Sequence, residues 1–452
     1  MRPDLALPSS PLDHGGARLA LAAVFAIAIG AAASVAPLVP LALCGVLAAG
    51  LVVIWLTPRL GLAMAILLPA SMAGLFVPRS AATLVQGLVI LYAAFLVAAA
   101  FQRRSRVAPA ALAALAVLVV WLLLAVNPNT PSLSVAVAGA RKVGFVYVAL
   151  ALGLLWAHGQ TISVERTIAR ILLVIGGAAL LLHLGAPGVE SGFARSASEF
   201  TEEFAGQKRM SGFYGGPFHI SLLGAFLVLW GWHSFLGKAE SGRVAAAFAL
   251  IGVALLYFAE VRTGYLAVAL GVVLTLLLRP SPGRTRGQSA ALTVLLAVVV
   301  AFLLASGTIS SEAISSLSHL GTDSRVESRV ETFGAAFDLI RHSPVIGWGP
   351  GSAGSGVSQY FFLHQHVTSH NMLIGILVEG GIVGLAVAAL PFVLFARLSR
   401  GLRSVAHPAA AAAIALLAFA FSTDVFEALP VSFALMLLIG LRGREDPDPV
   451  PT

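Results

Sequence analysis

Histidines 364, 366 and 370 close a long polar stretch, Asn371 follows at once, and an apolar run then leads to Gly384. An imidazole exchanges a proton near neutral pH, so histidines at the lip of a membrane are where proton chemistry is to be sought. Three uses of the cluster are open. The three rings could gather a metal ion, but no cysteine and no helical pairing of carboxylate with histidine accompanies them. His364 and His366 read best as residues that solvate the loop end. His370, at the junction of loop and helix, reads as a general base able to take a proton from a hydroxyl. Asn371 is placed either to cap the helix or to orient the ring or a substrate. Glu379, further along the same apolar run, is either a structural hydrogen-bond partner or a residue that orients the site.

Two arginines complete the set of side chains that could do chemistry. Arg262 lies in Glu260-Val261-Arg262-Thr263-Gly264, a very short turn between two apolar runs. A guanidinium so placed needs an anionic partner, which is Glu260, another carboxylate, or a substrate phosphate that matches its planar fork. Arg209 stands just before another apolar run and is followed by Met210-Ser211-Gly212-Phe213-Tyr214-Gly215-Gly216-Pro217. The small residues serve either a plain re-entry loop or the close approach of a ligand to the backbone.

The elements that must position these residues are membrane helices. Of 452 residues, 58% are hydrophobic and 11% charged, well below the charged share of roughly a quarter in soluble domains. Apolar runs centred near residues 26, 46, 68, 91, 117, 148, 176, 227, 252, 271, 297, 384, 416 and 435 each suit about twenty helical residues across the hydrocarbon. They lack the alternation of a transmembrane barrel strand. The expected fold is therefore all-α, a polytopic bundle of about 12–14 spans. The single cysteine, Cys44, sits within an apolar run and reads as a packing residue. The first apolar run, preceded by Arg2 and Arg18, reads as a retained anchor.

With the N-terminus in the cytoplasm, most Lys and Arg fall on the cytoplasmic side, as topology rules expect. The net charge of +8 then reports membrane orientation rather than nucleic-acid binding. The basic residues left outside are Arg79, Arg141, Lys142, Arg195, Lys208, Arg209, Arg262, Arg325, Arg329 and Arg341. The outer face also carries two long polar stretches, residues 185–217 and 306–369. Loops of that length are commonly functional. The second contains an amphipathic piece, Ser324 to His342, with Val326, Val330, Phe333, Phe337 and Ile340 near helical spacing. It is expected to form a helix over the bundle. Residues 1–442 read as one transmembrane domain and 443–452 as a disordered cytoplasmic tail.

Taken in order, these residues resemble a known pattern. Ser369-His370-Asn371-Met372-Leu373 with Glu379-Gly380-Gly381 and Gly384 is similar to the hallmark helix of the O-antigen ligase and polymerase superfamily. Ser328-Arg329 followed by Pro344-Val345-Ile346-Gly347-Trp348-Gly349-Pro350-Gly351 resembles that family's lead-in. Arg209 through Pro217 resembles its first arginine motif, and Val261-Arg262-Thr263-Gly264 its second. The resemblance spans about residues 205–395. Two positions depart from the pattern: Phe218 where the family often has Asn, and Val261 where it often has Ser. Neither is assigned a catalytic role.

The resemblance implies a GT-C-like glycosyltransferase in the bacterial inner membrane, its active site facing the periplasm. It implies an undecaprenyl-diphosphate-linked glycan as donor and an acceptor glycan, either a lipid-linked chain or lipid A-core, with no metal or nucleotide cofactor. With that substrate, Arg209 and Arg262 would hold the diphosphate and His370 would act as base. Lys208, Asn371, Arg325, Arg329 and Glu379 would support the site. Arg325, Arg329 and the run Tyr360-Phe361-Phe362 are candidates for holding the acceptor sugar. The span count and long outer loop lean toward a polymerase over a ligase. The rival class is a transporter or flippase of an anionic lipid-linked substrate, whose signs would be charged or broken helices at mid-membrane and a repeat between halves.

Overall fold

The computed structural model describes residues 79–102, 105–155, 161–190, 203–204, 207–214, 216–237, 240–278, 324–354, 361, 371–398, 410–421, 423–426 and 428–442. Its long elements are helices. They are α1 (Arg79–Gln102), α2 (Ala108–Leu124), α3 (Leu133–Leu155), α4 (Thr161–Gly185), α5 (Pro217–Gly237) and α6 (Gly242–Ala259). Then follow α7 (Arg262–Leu278), α8 (Ser324–His342), α9 (Met372–Leu398), α10 (Ala410–Ala420) and α11 (Leu429–Arg442). Among the described residues, one ladder pairs β1 (Glu203–Phe204) with β2 (Gln207–Lys208), antiparallel, just before Arg209.

The protein is a polytopic helical membrane protein. Among the described residues, five helices are long and apolar enough to cross a membrane: Leu133–Leu155, Val164–Gly185, Pro217–Gly237, Gly242–Ala259 and Met372–Ala396. Shorter apolar helices accompany them. Ten of the expected spans coincide with helices, whereas those centred near residues 26, 46, 68 and 297 lie outside the described residues. Cys44, Arg195 and the tail 443–452 lie outside them too.

Small residues set how closely the helices approach. A Cβ on Gly224 of α5 would meet the Gly252 carbonyl oxygen at 2.9 Å, and one on Gly252 of α6 the Gly224 oxygen at 2.8 Å. Gly153 of α3 and Gly440 of α11 face each other in the same way. Close backbone approach gains dispersion contacts, which drive helix association where lipid is as apolar as leucine. Large rings fill the remainder: Phe145 of α3 stacks on Phe433 of α11 with centroids 4.9 Å apart, and Trp121 and Trp230 are fully buried. Leu181, Leu250 and Leu266 point outward, as expected of faces that meet lipid. Inside the bundle, His233 of α5 lies 2.8 Å from the Thr275 hydroxyl of α7, which itself donates to the Gly271 carbonyl. That histidine is a satisfied core residue.

Helix α8 has the bounds expected from sequence, and along its described side chains, residues 331–342, Ala336 and Leu339 pack beside the expected Ile340. Ala336, Leu339 and Ile340 meet Ala353, Val378 and Ile374, while Phe337 is half exposed. The small side chain of Ala336 allows the chain after α8 to fold back against the helix, and Trp348 Nε1 donates to the Leu339 carbonyl at 2.8 Å. The returning chain thus adds Ala336 and Leu339 to the buried face.

Candidate functional site

Helix α9 is broken at Gly381, whose φ of 58° and ψ of −155° lie outside the helical region. Such a conformation is essentially restricted to glycine, and a break leaves backbone groups without intrahelical partners. The segment Pro344–Gly349 supplies those partners. Trp348 and Gly349 donate to the carbonyls of Val378 and Glu379 at 2.8 and 2.9 Å. The Pro344 and Val345 carbonyls accept from Ile382 and Val383 at 2.9 and 3.1 Å. Both sides of the break are thus closed by one loop. The fit explains the glycine spacing: a Cβ at Gly347, where φ is 65°, would press on the Glu379 carbonyl carbon, and one at Gly381 on the Val345 carbonyl.

Glu379 is part of this joint. It is buried; one oxygen accepts the Trp121 indole N–H at 3.2 Å and the other the Gly351 N–H at 3.0 Å. The Trp121 ring lies against Gly380 and Gly384, and a Cβ at Gly384 would crowd it at 3.1 Å. Asn127 adds a bond from its amide to the Gly347 carbonyl at 3.0 Å. The motif Glu379-Gly380-Gly381 with Gly384 therefore docks the lead-in loop and α2 onto α9. Of the two sequence-based uses of Glu379, the geometry displays the hydrogen-bonding one.

Asn371 caps α9. Its Oδ1 accepts from the N–H groups of Leu373 and Ile374 at 2.9 and 3.2 Å, and its amide donates to the Phe421 carbonyl at 3.1 Å. The segment entered through Phe421 also holds Asp424, which pairs with Lys142 of α3 at 2.8 Å. Lys142, one of the basic residues the sequence left for the outer face, thus has a carboxylate partner. His364, His366 and His370 lie outside the described residues, as do Tyr360 and Phe362. His370 directly precedes the cap in sequence.

The arginine segment before α5 is built separately. The Met210 N–H donates to the Phe258 carbonyl at 2.9 Å, which fastens this segment to the end of α6. Glu190, fully buried after α4, accepts the N–H groups of Ser211 and Gly212 through one oxygen at 2.7 and 2.8 Å. Its other oxygen is 2.6 Å from His183 Nδ1, in the last turn of α4. Gly212 has φ 56°, which lets the chain turn tightly into the 3-10 helix Gly212–Tyr214. The Ser221 hydroxyl of α5 adds a long contact of 3.4 Å to the Val261 carbonyl.

The α6–α7 turn then brings the second arginine to the same place. Glu260 ends α6 in the left-handed conformation, φ 51°, and its N–H donates to the Leu256 carbonyl. That position usually favours glycine, so a glutamate there carries a backbone cost. Its carboxylate feels the charge of Arg209: burial pushes the Glu260 pKa up from the ordinary value, and the Arg209 guanidinium opposes that rise. Arg262 is the first residue of α7, two positions on. Arg209, Glu260 and the Arg262 backbone therefore share one corner, and Glu260, one of the partners left open for Arg262 by the sequence, interacts with Arg209.

Lys208 lies in β2, and Arg325 and Arg329 lie in the first two turns of α8. Helix α10 links the two centres, since it packs on α5 and α7 while the residue just after it, Phe421, receives the Asn371 amide. Sequence reasoning missed His183, Glu190, Trp121 and Asn127. A signal existed for Glu190, a lone carboxylate among Gly, Ala, Pro and Val directly after an apolar run. Among the described residues, no group of three His, Cys, Asp or Glu could hold a metal ion.

No curated protein matches this chain. A family model does match part of it, over less than half of the length. Arg209 lies upstream of the matched segment, whereas Glu260–Gly264, α8, the lead-in loop and the first half of α9 lie inside it. Residues 246–389 match the family described as O-antigen ligase, which supports the O-antigen ligase and polymerase superfamily and glycosyl transfer of that general type.

Proposed function

We propose that this protein is a metal-independent, inverting glycosyltransferase of the membrane. It would move an undecaprenyl-diphosphate-linked glycan onto an acceptor saccharide in surface polysaccharide assembly, with the active site on the periplasmic side of the inner membrane. The observation that carries this reading is the corner where Met210 is bonded to Phe258 and Arg209 sits beside the turn that bears Arg262. Two guanidinium groups at one end of a helical bundle suit a lipid diphosphate, which brings its negative charge to the membrane surface.

In this mechanism the acceptor hydroxyl oxygen attacks the anomeric carbon from the face opposite the diphosphate. The new carbon–oxygen bond forms as the bond to the diphosphate oxygen breaks, and the electron pair leaves with the lipid diphosphate. Arg209 and Arg262 offset the charge that grows on that oxygen. His370 takes the hydroxyl proton, from a place in the chain one residue before the cap of α9. Lys208, Arg325 and Arg329 act as supporting cations toward donor or acceptor, and the outer loop serves as the acceptor platform.

A transporter would also use phosphate-binding arginines, and a helix broken within the membrane is one of its marks. The break at Gly381 favours that reading at first sight. However, the carbonyls and N–H groups flanking it are bonded to Pro344–Gly349, so they are engaged within the protein rather than turned toward an ion or substrate. The deciding assay uses purified protein with lipid-linked repeat alone. Chain extension without added core supports a polymerase, and product only when lipid A-core is supplied supports a ligase. Movement of the lipid with no new glycosidic bond would overturn the transferase.

A further inference from the structure

We propose that Glu190 and His183 are positioning residues that hold Arg209 in place for the donor diphosphate. This rests on the assignment of Arg209 to the donor made above. Glu190 makes no use of its carboxylate at the surface: it is 0% exposed, and both oxygens are spent inside the protein. Oε1 gathers two consecutive backbone N–H groups, those of Ser211 and Gly212, at 2.7 and 2.8 Å. These are the second and third residues after Arg209, so the carboxylate fixes the direction in which the chain leaves the arginine. Oε2 lies 2.6 Å from His183 Nδ1.

The histidine in turn is fixed by α4 and by the Phe258 ring, 5.1 Å away between centroids. Phe258 is also the residue whose carbonyl accepts the Met210 N–H. Arg209 is therefore framed on its C-terminal side by three consecutive N–H groups, one bound to α6 and two to Glu190. A buried carboxylate that accepts three hydrogen bonds is expensive to place and loses that compensation if its partners move, which makes the turn stiff. Stiffness at this point matters because a fork of N–H donors must meet phosphate oxygens in a set geometry. Among the described side chains, Arg209 and Glu260 are the charged pair that interact at this corner, and Arg262 follows Glu260 by two residues. Glu190 supports the backbone, and Glu260 supplies the counter-charge.

The test uses the purified full chain and two readouts. The first is the rate at which phenylglyoxal modifies Arg209, followed by mass spectrometry, which reports the setting of the guanidinium without any donor. The second is the split between KM and kcat with lipid-linked donor. Glu190→Ala is expected to speed Arg209 modification and raise donor KM ~10-fold, with kcat and acceptor KM changed far less. Glu190→Gln keeps an oxygen for the two N–H groups and is expected to restore both readouts most of the way. If Glu190→Ala does not fold, His183→Ala removes one bond of the same carboxylate and should move both readouts in the same direction, with His183→Gln close to wild type. Unchanged Arg209 modification in folded Glu190→Ala and His183→Ala would overturn the positioning role. Faster modification with unaltered donor KM would instead overturn the donor assignment of Arg209, and the two failures are thus told apart.

Discussion

Met210 donates its backbone N–H to the carbonyl of Phe258 at 2.9 Å, and this bond joins two segments that lie far apart in the chain. The first carries Arg209 and the second leads through Glu260 to Arg262. Removing either guanidinium should weaken donor engagement. Arg209→Ala and Arg262→Ala are each expected to lower affinity for undecaprenyl diphosphate by ~10-fold or more, as loss of a charge-assisted pair does. Lysine at either position keeps the charge but not the fork, and should recover only part. Equilibrium binding of labelled lipid to the purified variants checks this; undiminished binding in both alanine variants would remove the diphosphate clamp.

His370→Ala should abolish glycan transfer, by ~100-fold or more, while folding and donor binding persist. Turnover in the purified assay, with lipid binding measured in parallel, separates these effects. Adding a chelator to the wild type should leave its rate unaltered. Retained turnover in His370→Ala would sink the general base, and loss of activity with chelator would revive a metal site at His364, His366 and His370.

The joint between α9 and the lead-in loop should behave as architecture. Glu379→Ala leaves the Trp121 and Gly351 donors without their acceptor, each at a cost of about 1–3 kcal/mol, and should lower the Tm in detergent. Glu379→Gln retains one acceptor oxygen and should lose less, with turnover per folded molecule near wild type. Gly381→Ala forces a side chain into a glycine-only conformation at about 1–3 kcal/mol and onto the Val345 carbonyl, so folded yield should fall sharply. Gly334→Ala is the control: space is open around Gly334 in α8, and the change should stabilise the helix by about 0.5–1 kcal/mol. A collapse of turnover in Glu379→Gln with an unchanged Tm would point to chemistry at Glu379 instead.

Glu260 should make stability depend on pH. Its folded pKa lies above the ordinary 4.5, with burial as the main cause. A carboxyl raised on folding contributes stability below its unfolded pKa and loses that contribution as pH climbs through the folded value. Tm of the wild type should therefore decline above pH 4.5 relative to Glu260→Gln, with the two curves parallel below it. Curves that stay parallel across the whole range would show that Glu260 is not held in this way.

Composition and periodicity revealed the membrane class and most of the helices, because a span must present about twenty apolar residues whatever it packs against. The bounds of α8 were legible for a related reason: apolar residues recurring every three or four positions with charged residues between them declare an amphipathic helix. The order of Arg209, Arg262, Asn371 and Glu379 was visible as a motif, since those residues stand out in a chain of Ala, Leu, Val and Gly. Partnership was not visible. Glu260 was the carboxylate next to Arg262 in sequence, but nothing local foretold its electrostatic interaction with Arg209, which a left-handed turn and the Met210–Phe258 bond bring back to it. Glu379 read as a hydrogen-bond partner or a site-orienting residue, but its donors, Trp121 and the lead-in loop, come from outside its own helix and could not be named. Glu190 and His183 carried no motif at all. Local patterns report what a segment must do by itself, whereas a buried carboxylate is defined by donors that only the packed bundle delivers.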